Sequence, residues 1–135
     1  MNERISFSLV TPDRQVVEEF VTSVTIPAAN GEMQALPQHT PYVARLGIGI
    51  LRFTLAGGVE REVCVTGGYV EVLPEQVTVM VRSAELPEEI DPERAKAAME
   101  RAEKRLMNPD DDTDMDRARA ALARAIERLK LSSGH

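Results

Sequence analysis

Apolar and polar residues alternate in short runs from Arg4 to Arg82. A period of two is that of a β-strand with one buried face. The residues that show it most clearly are Ile5, Phe7, Leu9, Val77, Val79 and Val81, and further apolar runs are residues 24–26, 48–55, 59–65 and 69–73. The pattern predicts a series of short strands.

Turn-forming residues separate these runs at positions 11–14, 30–31, 57–58, 67–68 and 74–75. They include the Gly, Pro, Asn and Asp residues that tight turns favour. No helical pattern lies between the strands. Such a series predicts an antiparallel β-sandwich or flattened barrel over residues 1–86.

The apolar period changes to that of a helix after Leu86. Asp91 is a suitable N-cap, and Pro92 suits the first helical position. Two stripes at helical spacing follow, Ala95, Ala98, Met99, Ala102 and Leu106 and then Ala118, Ala121, Leu122, Ala125 and Leu129. Helix-breaking residues at 108–112 separate the stripes. Residues 87–135 are therefore predicted to form an antiparallel two-helix hairpin.

Alanine dominates both helical stripes, so each contact buries little more than a methyl group. Burial stabilises by about 0.8 kcal/mol per carbon, which makes this seam close but weak. Helices of about 15 residues are themselves marginal in water. The pattern favours a movable hairpin, and a hairpin packed permanently as a stabiliser is the alternative.

The 135 residues are 43% hydrophobic and 28% charged, which is typical of a globular protein with one domain and a small appendage. No apolar run approaches the roughly 20 residues of a membrane span, and the first residues do not resemble a signal peptide. We therefore expect the chain to stay in the cytoplasm. Cys64 is the one cysteine, so we expect a buried thiol and neither a disulfide nor a cysteine metal cluster.

Charge is unevenly distributed along the chain. Residues 1–90 carry 12 acidic and six basic side chains, and residues 91–135 carry ten of each. An acidic first part, followed by a second part without aromatic residues, argues against nucleic-acid binding. Two histidines, His39 and His135, and one cysteine offer no triad or metal set, so we do not expect an enzyme.

Four segments of the chain form a recognisable set, namely GEMQALPQHTP at 31–41, TGGYVEV at 66–72, QVTV at 76–79 and IDPERA at 90–95. Together and in this order they resemble segments of bacterial F-type ATP synthase epsilon subunits. The resemblance implies a non-catalytic rotor subunit on the cytoplasmic face of the bacterial membrane, held there through its complex. Its partners would be the gamma subunit, the c-ring and the catalytic beta subunits.

By the same resemblance, Glu32, Gln34 and His39 fall at positions that face the c-ring. For His39 the alternative is a turn histidine that bonds its own loop. Gln34 and Gln38 stand where the family usually has glycine, and Tyr42 replaces an aliphatic residue. A glutamine at a positive φ would cost roughly 1–2 kcal/mol.

The resemblance further implies ATP as a regulatory ligand, with no cofactor required. The matching positions are Glu85, Ile90, Asp91, Arg94, Ala95, Arg124 and Arg128. Arg124 and Arg128 lie four residues apart, and such a like-charged pair is unfavourable on a helix unless an anion sits against it. Alternatively, Arg124 pairs with Glu127 and Asp91 is only a helix cap.

A released hairpin would, by resemblance, extend along the shaft and block rotation in the hydrolysis direction. Its candidate contacts to the beta subunits are Arg117, Arg119, Arg124 and Arg128. Two other classes remain open. One is a free-standing ATP-binding sensor protein, and the other is an enzyme.

Overall fold

The computed structural model describes residues 4–133. The predicted domains begin at residue 1 and end at residue 135, so residues 1–3 and 134–135, including His135, lie outside the described part. Its strands are β1 (Ile5–Val10), β2 (Gln15–Ala28), β3 (Gly31–Ala35), β4 (Tyr42–Leu55), β5 (Glu60–Val72) and β6 (Gln76–Glu85). A single 3-10 turn (Pro87–Glu89), α1 (Pro92–Met107) and α2 (Met115–Ser133) follow. The chain divides into two compact units, one ending at Glu85 and the other beginning at Leu86.

The strands of the first unit, here called the β unit, form a closed barrel with an added edge strand. The order is β1-β6-β5-β4-β2-β3, and β1 also pairs with β2 and closes the ring. The pairing of β1 with β6 is parallel, and the others are antiparallel. A barrel followed by a two-helix hairpin confirms the predicted fold class. Alternation could not reveal the parallel pair, because it defines faces and not strand direction.

The barrel interior is filled by large aliphatic and aromatic side chains. Phe7 and Phe53 contact each other there, with ring centroids 5.0 Å apart. Fully buried side chains around them include Ile5, Leu9, Val21, Val24, Ile26, Leu51, Val63, Val65, Val70 and Val72. Cys64 is buried as predicted.

The prediction of a turn at Gly67-Gly68 was wrong, because both residues lie inside β5. Their φ angles are 55° and 144°, in the range that favours glycine. A Cβ on Gly68 would clash with the carbonyl oxygen of Met80 and would lie 2.8 Å from Cα of Val81. Glycine here allows β6 to approach closely, and it does not end the strand. The four other predicted turns connect successive strands, with Gly31 of the turn at 30–31 being the first residue of β3.

The helical unit begins as the sequence predicts. The Asp91 carboxylate accepts hydrogen bonds from the backbone N–H groups of Glu93 (3.1 Å) and Arg94 (3.3 Å), and Pro92 opens α1. The turn between the helices is held by Asp110, and Asp114 accepts from the backbone N–H of Arg117 at 3.0 Å. The buried side chains of this unit are mostly alanines, namely Ala95, Ala102, Ala118 and Ala125, with Ile90 and Leu131.

Candidate functional site

Two of the predicted ring-facing residues share one face of β3. Glu32 and Gln34 are two residues apart in this strand, and both are exposed. Side chains at this spacing point to the same side of a sheet. Gln34 is opposite Thr25 of β2, and Thr25 is in turn opposite Arg52 of β4. Glu32, Gln34 and Arg52 therefore belong to one outward-facing surface of the β unit.

Arg52 joins two carboxylates on this surface. Its Nε donates to Oε2 of Glu62 at 3.1 Å, and its Nη1 donates to Oε2 of Glu32 at 3.4 Å. The Glu62 side chain is 18% exposed, whereas that of Glu32 is 62% exposed. Sequence reasoning missed Arg52, although its position opposite Glu62 would follow from a correct strand register.

His39 lies in the loop after β3, where the backbone adopts an unusual conformation. Gln38 has a φ of 64°, and its backbone N–H donates to the carbonyl oxygen of Pro74 at 2.8 Å. The predicted cost of a glutamine at positive φ therefore applies to Gln38. It does not apply to Gln34, which lies in a regular strand.

The side chain of His39 is fixed within its own loop. Its Nδ1 is 3.0 Å from the carbonyl oxygen of Thr40, so Nδ1 carries the proton and Nε2 is left as the acceptor in the neutral ring. The ring packs edge-on against Tyr42, with centroids 5.1 Å apart. This agrees with the alternative of a turn histidine, and it also leaves Nε2 able to meet a donor.

Tyr42, the first residue of β4, lies against this loop and is unusual. Its hydroxyl is buried and has no hydrogen-bond partner among residues 4–133. Burial raises the pKa of the Tyr42 phenol above its usual value. An aliphatic side chain at this position would avoid that unsatisfied hydroxyl.

An exposed apolar row crosses three neighbouring strands of the barrel. Tyr69 of β5 is opposite Met80 of β6, and Met80 is opposite Val10 of β1. Tyr69 is 52% and Met80 is 49% exposed. The row borders a hollow of about 410 Å³. We call Val10, Tyr69 and Met80 the apolar row. Sequence reasoning assigned no role to it, although an aromatic and a methionine at outward-facing strand positions are the signal that could have found it.

The predicted nucleotide residues are distributed between the two units. Ile90 and Ala95 are buried within the helical unit. Asp91 accepts a hydrogen bond from the backbone N–H of Arg94 in the N-cap of α1. Glu85 is the last residue of β6 and belongs to the β unit.

The second helix returns alongside the first. α2 packs on α1 and also contacts the 3-10 turn that precedes α1. In this antiparallel pair, the C-terminal half of α2 lies beside the N-terminal half of α1. Arg124 and Arg128 are both in that half and are half-buried.

The alternative interpretation, in which Arg124 pairs with Glu127, is not what the structure shows. Glu127 instead accepts from Nζ of Lys130 at 3.4 Å. Within residues 4–133, the Arg124 side chain takes part in no hydrogen bond or ion pair. Arg119 pairs with Asp116 at 3.2 Å, and both are exposed. Arg117 is exposed near the start of α2.

Other kinds of site find little support in the described part of the chain. Residues 4–133 contain no group of three or more His, Cys, Asp or Glu side chains placed to hold a metal ion. Neither described helix has the length and apolar character needed to cross a membrane. The remaining candidates for a functional site are the exposed surfaces of the β unit and the two arginines of α2, Arg124 and Arg128.

Comparison with known families identifies the chain. Residues 4–87 match the family "ATP synthase, Delta/Epsilon chain, beta-sandwich domain", and residues 88–133 match "ATP synthase, Delta/Epsilon chain, long alpha-helix domain". The chain belongs to the ATP synthase delta/epsilon family. Both of its units therefore correspond to parts of the same kind of subunit.

Individual members of the delta/epsilon family are similar over almost the whole chain. The ATP synthase epsilon chain of Syntrophobacter fumaroxidans is 46% identical over 132 residues, which is 98% of each chain. That of Bacillus subtilis is 45% identical over 128 residues, covering 95% of this chain and 96% of the relative. The family resemblance found in the sequence is thus confirmed.

Solved structures contain chains with the same fold. A chain of the Euglena gracilis mitochondrial ATP synthase, from a structure of OSCP/F1/c-ring, matches with a TM-score of 0.86 and 28% identity. The match covers 100% of this chain and 84% of that one. A chain of the Tetrahymena thermophila mitochondrial ATP synthase shares the fold, with a TM-score of 0.63 at 13% identity, covering 96% of each chain.

Proposed function

We propose that the chain is the non-catalytic epsilon subunit in the central stalk of a proton-translocating F-type ATP synthase. It would couple proton flow to ATP synthesis and regulate ATP hydrolysis through its hairpin. The 46% identity to an ATP synthase epsilon chain over 98% of both chains carries this proposal. Through the complex, the subunit would be peripheral on the cytoplasmic face of the bacterial membrane.

The β unit would be the part that stays attached to the gamma subunit. The apolar row supports this, because contiguous exposed apolar side chains on a small barrel are typical of a lasting protein contact. Tyrosine is also among the residues that contribute most to interfaces. We assign gamma to the apolar row and the c-ring to Glu32 and Gln34 of β3 together with His39 of the loop that follows.

Co-purification with gamma tests the attachment. Tyr69→Asp and Met80→Asp should each weaken capture of gamma by the full chain at least tenfold, since each buries a charge in the contact. Val59→Asp is the matched control, because Val59 is 55% exposed but lies outside the apolar row. ATP binding without any capture of gamma by the unsubstituted chain would favour the free-standing sensor instead.

The hairpin would act as the regulatory part. Its alanine seam supports this role, because a seam of small side chains holds the helices with little buried area. Extended along the shaft, α2 would present Arg117 and Arg119 to an acidic surface of the beta subunits, together with Arg124 and Arg128.

Hydrolysis by the reconstituted complex tests the regulatory role. The double variant Arg117→Gln, Arg119→Gln should relieve inhibition and raise ATP hydrolysis severalfold. Lys96→Gln, an exposed charge on α1, is the control and should leave inhibition unchanged. Equal inhibition in the double variant and the wild type would count against the contact.

ATP would hold the hairpin in its compact form. The half-buried Arg124, whose side chain is unbonded within residues 4–133, supports a phosphate contact, because guanidinium groups bind phosphate with forked donors. ATP at 100 times its dissociation constant would favour the binding form by about 2.7 kcal/mol. That suffices to dominate a nearly balanced equilibrium.

Titration calorimetry with ATP tests the nucleotide site. Arg124→Ala should weaken binding about tenfold or more, as expected for the loss of a charge-assisted contact. Arg101→Ala, an exposed arginine on α1, should bind as the wild type does. No heat of binding in the wild type would remove the nucleotide role and leave the mechanical one.

A further inference from the structure

We infer that Arg52 is a positioning residue, which holds the Glu32 carboxylate in the orientation that the c-ring contact uses. This rests on the proposed function of the Glu32 surface. Arg52 itself would not touch the ring. It would act through the hydrogen bond from its Nη1 to Oε2 of Glu32.

The strand register fixes where Arg52 points. Arg52 is directly opposite Glu62 of β5 and opposite Thr25 of β2. Glu32, by contrast, projects from β3, the added strand at the edge of the barrel, where pairing on one side leaves the backbone less restrained. A hydrogen bond from the central strand β4 thus ties a side chain of the edge strand to the closed barrel.

The exposure of the three side chains increases from Glu62 through Arg52 to Glu32, as expected if Glu62 holds Arg52 and Arg52 holds Glu32. Glu62 is 18%, Arg52 is 39% and Glu32 is 62% exposed. The least exposed carboxylate orients the guanidinium, and the guanidinium orients the most exposed carboxylate. Since Arg52 uses separate nitrogens for the two acids, its planar fork fixes both bonds at once.

Charge adds to this geometry. The Arg52 guanidinium is shared between two carboxylates, and Glu32 is the more exposed of the two, so Glu32 keeps acceptor capacity for a cationic or hydrogen-bond-donating loop. Without Arg52, the two carboxylates would repel each other and Glu32 would sample many rotamers. Binding would then have to order that side chain, which typically weakens affinity by about two- to tenfold.

A purely structural role for the ion pairs predicts different results. Pairs this exposed contribute little to folding. If they only stabilised the barrel, Arg52→Gln would shift the melting temperature, and its effect on ring binding would not depend on residue 32.

A double-mutant cycle on the full chain tests the inference, with affinity for detergent-solubilised c-ring in the presence of gamma as the readout. Glu32→Gln and Arg52→Gln should each weaken binding, the latter about fivefold. The double variant should bind no worse than Glu32→Gln alone, because Arg52 acts only through Glu32. Arg52→Lys should restore little, since one ammonium cannot reproduce the fork.

Two outcomes would overturn the inference in distinguishable ways. Additive effects of the two substitutions would mean that Arg52 acts independently, and the Glu32 contact would still stand. Unaltered binding by Glu32→Gln would remove the ring contact and the inference together, while capture of gamma through the apolar row would still be tested on its own. Thermal unfolding of each variant controls for loss of the fold.

Discussion

The β unit and the helical unit bury different side chains, and we expect the helical unit to be the less stable of the two. The barrel encloses Phe7, Leu51 and many other large residues, whereas the hairpin closes mainly on alanines such as Ala102 and Ala125. At about 0.8 kcal/mol per buried carbon, a leucine contributes several times what an alanine does. The two units can therefore differ greatly in stability at similar helix and strand lengths.

The polar contacts show the same contrast. The ion pair of Arg119 with Asp116 in the hairpin is exposed and joins residues three apart in sequence, and a pair of this kind stabilises little. What holds the helices individually is capping by Asp91 and Asp114. In the β unit, Arg52 of β4 links side chains of β3 and β5 that are 20 and 10 residues away in sequence. These hairpin contacts lie within one helical turn, whereas those of Arg52 join different strands.

Truncating one buried leucine in each unit should have the largest effect on stability. Leu51→Ala should lower the free energy of unfolding of the β unit by about 3 kcal/mol, the usual loss when a buried leucine leaves a cavity. Leu131→Ala, with a leucine 1% exposed in the hairpin, is the matched variant. It should melt the helices and leave the barrel transition in place, as measured by circular dichroism and by aliphatic NMR signals. A single shared transition in both variants would contradict the comparison.

Removing the N-cap of α1 should have a smaller effect, confined to the helical unit. Asp91→Ala should destabilise the hairpin by about 1 kcal/mol, because two backbone N–H groups lose their acceptor. Helical content at 222 nm should fall at lower temperature, with the barrel unchanged. Asp111→Ala, an exposed acid in the turn, is the control. Equal effects of the two substitutions would refute the role of the cap.

Alkaline pH should weaken the β unit through Tyr42. Burial raises the pKa of this phenol in the folded protein above its ordinary value of about 10, so the unfolded chain ionises first. Stability is unaffected below pH 10 and is lost as pH rises from there towards the folded pKa. Tyr42→Phe should flatten this loss and raise stability at pH 7 by about 1 kcal/mol, since it removes an unsatisfied hydroxyl.

Denaturant unfolding between pH 7 and pH 11 measures the effect of Tyr42→Phe. Tyr69→Phe, which removes a half-exposed phenol from β5, is the control. An alkaline loss that persists unchanged in Tyr42→Phe would show that another group causes it.

Relief of the positive φ at Gln38 should have the smallest effect. Gln38→Gly should stabilise the β unit by about 0.5–1 kcal/mol, because glycine adopts a φ of 64° without strain but loses more chain entropy on folding. Gln34→Gly in the regular strand β3 should destabilise instead. Thermal melting of both variants decides the comparison, and a loss of stability in Gln38→Gly would contradict it.

The sequence predicted the features that depend on local chemistry and failed on those that depend on distant contacts. Asp91 and Pro92 signal the start of α1 because caps act within one turn. Gly67-Gly68 looked like a turn, because only the approach of β6 shows why glycine is needed inside a strand. Arg52 was missed for the same reason, since its partners come from β3 and β5.

The same distinction between local chemistry and distant contacts applies to the candidate site residues. Motif resemblance predicts roles for Glu32, His39 and Arg124 from their positions, but their surroundings depend on the fold. The bond of His39 to Thr40 and the pairing of Glu127 with Lys130 are details of geometry that spacing alone leaves open.

Native-state hydrogen exchange of the full chain tests most directly whether the hairpin opens while the barrel stays folded. Amides of α1 and α2 should exchange through an opening that costs several kcal/mol less than the opening that exposes β4 and β5. ATP should raise protection in the helices alone. Equal protection of helices and strands, both lost in one global unfolding, would contradict a hairpin that moves independently.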